Sequence, residues 1–64
     1  SHITAVVAEC GINITTAHAV ATEDGLARLH LQLDIRRRQE LDHVVGRLRS
    51  LIDVLSVRQL APTS

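Results

Sequence analysis

The sequence contains no phenylalanine, tryptophan or tyrosine. This absence excludes an RNA-binding sheet that stacks bases on aromatic rings. The core must be built from leucine, isoleucine, valine and alanine, which still pack well because their rotamers are well defined. Lysine is also absent, so all seven basic residues are arginines, and seven acidic residues balance them. A chain without net charge has no overall field that would attract nucleic acid or acidic lipid.

A single cysteine, Cys10, cannot form an internal disulfide, and no Cys-x-x-Cys pair is present to bind zinc. This usage fits a reducing compartment, so we expect a cytoplasmic protein. No apolar run approaches the roughly 18 residues of a membrane span, and no secretory signal is visible. The 64 residues are enough for one domain. A domain this short usually needs a disulfide, a bound metal or a partner chain for stability.

Residues 8–18 bring a cysteine, an asparagine and a histidine close together in sequence. These residue types can form a nucleophilic site, or the segment can be a helix end followed by a strand. Apolar residues one helical turn apart precede the segment and enter it: Ile3, Val6, Val7 and Cys10. This spacing predicts a helix over 2–10, with Gly11 as its left-handed C-cap. Cys10 is then a small buried hydrophobe rather than a reactive thiol.

A β-hairpin is predicted after this helix. From residue 12 the apolar period changes to two, which predicts strands over 12–21 and 28–35. Asp24-Gly25 between them is typical of a two-residue hairpin turn. That turn makes the apolar sides of the strands coincide, by pairing Val20 with Leu29, His18 with Leu31, Thr16 with Leu33, and Ile14 with Ile35. His18 and His30 would then lie on opposite faces and could not share a metal.

The second half of the chain predicts one more helix and one more strand. Arg36, Arg37 and Arg38 close the hairpin as a basic loop, which is either solvated or a phosphate contact. Leucines and valines at helical spacing from Leu41 to Leu48 predict a helix over 39–50. Residues 54–60 predict a last strand, and residues 61–64 read as a frayed tail.

The order helix, strand, strand, helix, strand indicates a fold class. One strand added in front completes the ferredoxin-like βαββαβ arrangement, an α+β fold with two helices on one face of an antiparallel sheet. We therefore expect residues 1–60 to form such a domain without its first strand, which would belong to an upstream segment. The unpaired sheet edge and the small core predict a homodimer or a higher oligomer.

Four pieces of the sequence together resemble an ACT domain, a small ligand-sensing module of amino-acid metabolism with this fold. They are the helix running into Gly11-Ile12-Asn13-Ile14, the turn Glu23-Asp24-Gly25, the helix from Leu41 to Leu48, and the closing segment 53–58. Within the family, residues 3–60 are most similar to the C-terminal ACT domain of RelA/SpoT-type GTP pyrophosphokinases, the (p)ppGpp synthetase/hydrolases of the stringent response.

This resemblance implies a non-catalytic regulatory domain whose catalytic domains lie upstream in the same cytoplasmic enzyme. It implies that the domain senses amino-acid status or contacts a second copy, or the ribosome and its RNA. An amino-acid-binding ACT domain of a biosynthetic enzyme or its regulatory subunit is the alternative. An independent small enzyme is disfavoured because no acid, base and nucleophile converge in the sequence.

The resemblance carries one ligand-side residue over to this chain, Asn13, and we group its neighbours Ile12 and Ile14 with it. Asn13 either binds a ligand or bonds the backbone freed at the helix end. A second expected surface, for contact with another copy or domain, is the outward face of the hairpin: Ala17, Ala19, Arg28, His30 and Gln32. We expect no catalytic residue, no cofactor, no metal ligand and no membrane partner.

Overall fold

The computed structural model describes residues 2–60, and the predicted tail at 61–64 lies outside the described residues. Four elements follow one another: α1 (His2–Glu9), β1 (Asn13–Ala21), β2 (Ala27–Asp34) and α2 (Arg38–Arg49). The strands pair antiparallel in a two-stranded sheet. Two helices and an antiparallel sheet confirm the α+β class and are consistent with part of the ferredoxin-like arrangement.

The end of α1 follows the predicted cap. Gly11 has a φ of 75°, in the left-handed region, which glycine reaches without the steric penalty of a Cβ. Its N–H donates to the Ala8 carbonyl at 2.9 Å, and the Ile12 N–H donates to the Val7 carbonyl at 3.4 Å. These bonds satisfy carbonyls at the helix end and turn the chain directly into β1.

Arg36 and Arg37 lie in the connection between β2 and α2, and Arg38 is the first residue of α2. The Glu40 carboxylate accepts hydrogen bonds from the backbone N–H groups of Arg36 and Arg37, both at 3.0 Å. A first-turn glutamate that accepts from the preceding backbone stabilises a helix start. Arg38 is already helical and pairs with Asp42 one turn later, at 3.3 Å.

The hairpin forms, but its predicted register is wrong. The observed pairs include Val20 with Arg28, Ala19 with Leu29, His18 with His30, and Ala17 with Leu31. The turn is the cause, because the Thr22 N–H donates to the Leu26 carbonyl at 2.8 Å and leaves three residues in the loop instead of two. Gly25 has a φ of 81°, as in the common three-residue loop that ends on a left-handed residue. The additional loop residue shifts the pairs from Thr16 to the turn by one residue.

The turn also contains an acidic side chain, that of Asp24. The Thr22 hydroxyl donates to the Asp24 carboxylate. This bond, with help from the backbone N–H groups of Asp24 and Leu26, holds the pKa of the Asp24 carboxyl below its usual value. The Thr22 hydroxyl and the Asp24 carboxylate are therefore hydrogen-bonded to each other within the turn, which favours the three-residue loop.

A bulge at Thr15 pairs apolar residues with each other again at the start of β1, the end that lies away from the turn. Thr16 lies opposite Gln32 and Ile14 lies opposite Leu33, so Thr15 is an extra residue without a partner of its own. The Thr15 hydroxyl donates to the Gln32 carbonyl at 3.0 Å. The bulge therefore keeps Ile14 on the face that packs against the core.

Side-chain polarity explains why this register wins over the predicted one. The predicted pairing would have placed Thr16 and His18 on the face that the helices cover. The observed pairing places Ala17 and Ala19 on that side, where both remain exposed, and turns Thr16 and His18 to the other side. Burying a polar group without a hydrogen-bond partner costs about 1–3 kcal/mol, and the register set by the three-residue loop keeps both polar side chains away from the helices.

The predicted last strand, residues 54–60, is not a strand in the structure. After α2 the chain turns, with the Val54 N–H donating to the Leu51 carbonyl at 3.1 Å. The Arg49 guanidinium then donates to the Val57 carbonyl at 3.0 Å, and the Val57 side chain packs against the core. A strand needs a hydrogen-bonded neighbour, and a groove separates this segment from β2.

The core is small and entirely aliphatic. Its buried residues are Val6, Val7, Ile12, Val44, Val45 and Leu48. Cys10 is partly buried against this cluster, as expected for a small hydrophobe. On the surface, Arg47 of α2 pairs with Glu9 of α1 at 3.0 Å. Neither helix described in residues 2–60 has the length and apolar character needed to cross a membrane.

Candidate functional site

The expected ligand residues at the junction of α1 and β1 have different surroundings. Ile12 is 5% exposed, and Ile14 is partly buried against the same core. The side chain of Ile12 is therefore withdrawn from solvent, whereas that of Ile14 keeps part of its surface exposed. Asn13 is exposed and is the first residue of β1. Of the three, Asn13 is the most accessible to a dissolved ligand.

Asn13 does not bond the helix end, which was the other role expected for it. The backbone N–H groups of Gly11 and Ile12 already supply the bonds to the last carbonyls of α1. Within residues 2–60 the Asn13 side chain makes no hydrogen bond. Its amide group is therefore available at the surface.

Asp34 lies directly opposite Asn13 and completes a polar pair at this end of the hairpin. Side chains in direct cross-strand pairs share a face, with Cβ atoms about 4.5–5.5 Å apart. Asp34 is exposed too, and among the described residues its carboxylate has no hydrogen bond or ion pair. The pair offers an amide that can donate and a carboxylate that only accepts. This set is complementary to the carboxylate and the ammonium of a free amino acid.

Sequence reasoning missed Asp34 because the predicted register placed Arg36 opposite Asn13. The turn contained the missing signal. A glycine that follows Asp24 fits a three-residue loop with a left-handed last residue as well as a two-residue loop. The longer loop and the bulge at Thr15 each move the partner of Asn13 by one residue, from Arg36 to Asp34.

The predicted contact surface is divided between the two faces of the hairpin. Ala17 and Ala19 lie opposite Leu31 and Leu29, on the face that packs toward the helices. Polar residues of both strands occupy the other face: Thr16, His18, Arg28, His30 and Gln32. The two alanines therefore do not share a face with the polar residues of β2, as the sequence had suggested. The Thr16 hydroxyl joins the strands on this polar face by donating to the Gln32 side chain at 3.1 Å.

The two central histidines lie together instead of on opposite faces. His18 is directly opposite His30, and both are exposed. Two imidazoles are fewer than the three or four protein ligands of a typical zinc site. Across residues 2–60 no group of three or more histidine, cysteine, aspartate or glutamate side chains could hold a metal. Cys10 packs toward the core, while Asn13 and His18 are exposed, so these three do not form a nucleophilic centre.

A groove of about 1210 Å³ runs between β2 and the segment that follows α2. Residues 27–31 and Leu33 form one wall, and residues 53–60 form the other. The floor consists of aliphatic side chains of α2: Leu41, Val44, Val45 and Leu48. Ala19 of β1 and Ile3 of α1 also line the groove, whereas Asn13 and Asp34 do not.

Residues 1–58 match the family model described as "ACT domain". The matched span includes both helices, both strands, and the Asn13–Asp34 pair. Comparison with curated proteins found no match, and comparison with solved structures found none either.

Proposed function

Because this chain belongs to the ACT domain family, we propose that it is the non-catalytic regulatory domain of a (p)ppGpp synthetase/hydrolase and that it binds a free amino acid. ACT domains are regulatory domains that bind small molecules, typically amino acids, and that commonly dimerise. The (p)ppGpp context is supported by the resemblance of residues 3–60 to the C-terminal domain of RelA/SpoT-type enzymes of the cytoplasm.

The observation that carries the proposal is the exposed pair of Asn13 and Asp34. The Asp34 carboxylate would accept hydrogen bonds from the ligand ammonium, and the Asn13 amide would donate to the ligand carboxylate. Ile12 and Ile14 hold Asn13 in place by packing into the core on either side of it. The ligand side chain would set specificity, for which the branched-chain amino acids are the first candidates.

Regulation would follow from linkage between ligand binding and assembly. A ligand that prefers one arrangement of two copies shifts the population toward that arrangement and so biases the attached catalytic domains. The polar face of the hairpin, with Arg28, His30 and Gln32, is our proposed contact with a second copy or with the ribosome. Ala17 and Ala19 would contribute to such a contact only from the opposite face.

Isothermal titration calorimetry of the 64-residue chain with leucine, isoleucine and valine tests the ligand site. We expect heat of binding at millimolar ligand, and at least tenfold weaker binding for Asn13→Ala and for Asp34→Ala. Asp42→Ala is the matched control, since it removes an exposed carboxylate from α2. No heat with any of the three ligands, or an equal loss in the control, would contradict the site.

Sequencing the gene that encodes this chain tests the enzyme context separately. We expect the reading frame that encodes this chain to encode a GTP pyrophosphokinase region before it. An amino-acid biosynthetic enzyme or its regulatory subunit in that place would overturn the (p)ppGpp assignment and leave amino-acid binding as the function.

A further inference from the structure

His18 and His30 form a direct cross-strand pair on the face of the hairpin that is turned away from the helices. The bond from the Thr22 N–H to the Leu26 carbonyl sets the alternation of pairs along the hairpin. By this alternation His18 and His30 belong to the pairs that exchange backbone hydrogen bonds. Such partners have Cα atoms about 5.5 Å apart and side chains on one face. The backbone therefore holds two imidazoles side by side, one on each strand.

Both imidazoles can turn a nitrogen toward a common point. Each histidine is exposed, and among residues 2–60 neither ring makes a hydrogen bond or an ion pair. A neutral imidazole carries one nitrogen with a free lone pair, and histidine is the commonest metal ligand in proteins. Because the two rings start from adjacent positions on one face, they can reach the same ion from one side and leave its other side open.

The neighbouring pairs on this face indicate which ions suit the two histidines. Thr16 and Gln32 lie on one side and are bonded to each other at 3.1 Å. Val20 and Arg28 lie on the other side, toward the turn. Neither of these pairs contains a carboxylate, so magnesium and calcium, which prefer several oxygen ligands, are disfavoured here. Imidazole nitrogens suit copper and nickel, and both ions accept a tetragonal set of nitrogen and oxygen ligands.

We propose that His18 and His30 together bind one divalent copper ion, or a nickel ion with lower affinity, and that water completes the coordination. Copper(II) binds most tightly of the first-row divalent ions to a given set of nitrogen ligands. The second imidazole adds affinity because its bond to the ion forms within one molecule. The bound ion would join β1 to β2 at the middle of the hairpin. This inference does not depend on amino-acid binding at Asn13 and Asp34.

Titration with copper(II), followed by NMR, tests the site on the 64-residue chain acetylated at its amino terminus. The chain has four histidines and one cysteine. A background of His2→Ala, His43→Ala and Cys10→Ser therefore keeps the two proposed ligands and removes the other imidazoles and the thiol. Copper(II) is paramagnetic and broadens the signals of nearby nuclei. We expect the amide signals around His18 and His30 to broaden first and to reach their limit at one ion per chain.

Electron paramagnetic resonance of the same sample counts the nitrogen ligands, and we expect two imidazole nitrogens. Competition with free glycine measures the affinity. His18→Ala and His30→Ala should each weaken copper binding at least tenfold, because a single imidazole cannot chelate. Gln32→Ala is the matched control, since it shortens an exposed neighbour on the same face of β2, and it should change the affinity less than twofold.

The charge of Arg28 provides an independent test of where the ion lies. Arg28 is two residues from His30 on the same face of β2, so its guanidinium repels a cation held there. Arg28→Gln should strengthen copper binding at least twofold in dilute buffer. The gain should shrink as sodium chloride is added, because salt screens charges that are exposed to solvent.

Three outcomes would overturn the proposal. The first is a copper affinity that stays the same in His18→Ala or in His30→Ala. The second is a resonance spectrum with a single imidazole nitrogen. The third is saturation at one ion for two chains, which would make the site an interface between copies. Because the nitrogen count and the stoichiometry are measured with both ligands present, the test stands even where a ligand variant fails to fold.

Discussion

Glycine has two different roles at the residue scale in this chain. Gly11 and Gly25 have φ values of 75° and 81°, a region that costs other residues roughly 1–2 kcal/mol. Gly46 lies inside α2, and a Cβ built there would meet no atom within 4 Å. No neighbouring element among residues 2–60 packs against this position closely enough to require glycine.

Substitution by alanine should therefore have opposite effects at two of these sites. We expect Gly46→Ala to raise the free energy of unfolding by about 1 kcal/mol, because alanine favours a helix interior over glycine. Gly11→Ala should lower it by about 1–2 kcal/mol. Urea denaturation followed by circular dichroism measures both changes. A loss at both positions would mean that Gly46 has a packing role that the structure does not show.

The sequence predicted the role of a single residue correctly where that role depends on its neighbours along the chain. Gly11 was predictable as a helix cap because an apolar helical stripe ends just before it. Asn13 was predictable as an exposed polar residue because it lies between two apolar ones. Asp34 was not predictable as its partner, because that pairing depends both on the geometry of a distant turn and on the bulge at Thr15.

At the scale of elements, periodicity located both helices to within one residue at each end. It also located both strands of the hairpin but gave the wrong pairing. The same Asp24-Gly25 sequence is compatible with loops of two or three residues. The choice depends on which side chains each register buries. Residues 54–60 have a strand-like pattern, yet a strand forms only beside another strand.

Engineered disulfides should report the register of the hairpin directly. In a Cys10→Ser background, we expect the pair Val20→Cys and Arg28→Cys to oxidise. Directly opposite hydrogen-bonded residues have Cα atoms about 5.5 Å apart, within the range for a disulfide. The pair Val20→Cys and Leu29→Cys should stay reduced, since these side chains point to opposite faces. Mass spectrometry without reducing agent distinguishes the two variants, and the reverse result would restore the two-residue turn.

At the scale of the whole molecule, few residues hold the helices to the sheet. Six side chains of residues 2–60 are buried, and none of these is aromatic or larger than leucine. A domain of 64 residues has a total stability of roughly 3–10 kcal/mol. Each core side chain is therefore a large part of the total.

Truncation of one core valine should reveal this sensitivity. Val7 is 0% exposed, so Val7→Ala should lower the free energy of unfolding by roughly 2 kcal/mol, through the loss of two buried methyl groups. Val20 is 47% exposed, and Val20→Ala should change it by less than about 0.5 kcal/mol. Thermal unfolding followed by circular dichroism provides the comparison. Similar losses in both variants would mean that the sheet face at Val20 is covered in solution.

The family assignment is a property of the whole chain rather than of any one residue pair. Val20 and Leu29 lie on different faces, although their pairing first supported the hairpin. The match over residues 1–58 stands with the observed order of helices and strands. An error in the hairpin register leaves the order of helices and strands unchanged, because both registers pair the same two strands.

The three-residue loop and the bulge at Thr15 each move the β2 partner of a β1 residue one position toward the turn. Relative to the predicted pairing, His18 therefore moves by one residue, from Leu31 to His30, and Ile14 moves by two, from Ile35 to Leu33. One step exchanges the two faces of the sheet and a second step exchanges them back, so Ile14 returns to the aliphatic side. A contact map drawn with one constant offset along this hairpin would misassign one of its two ends.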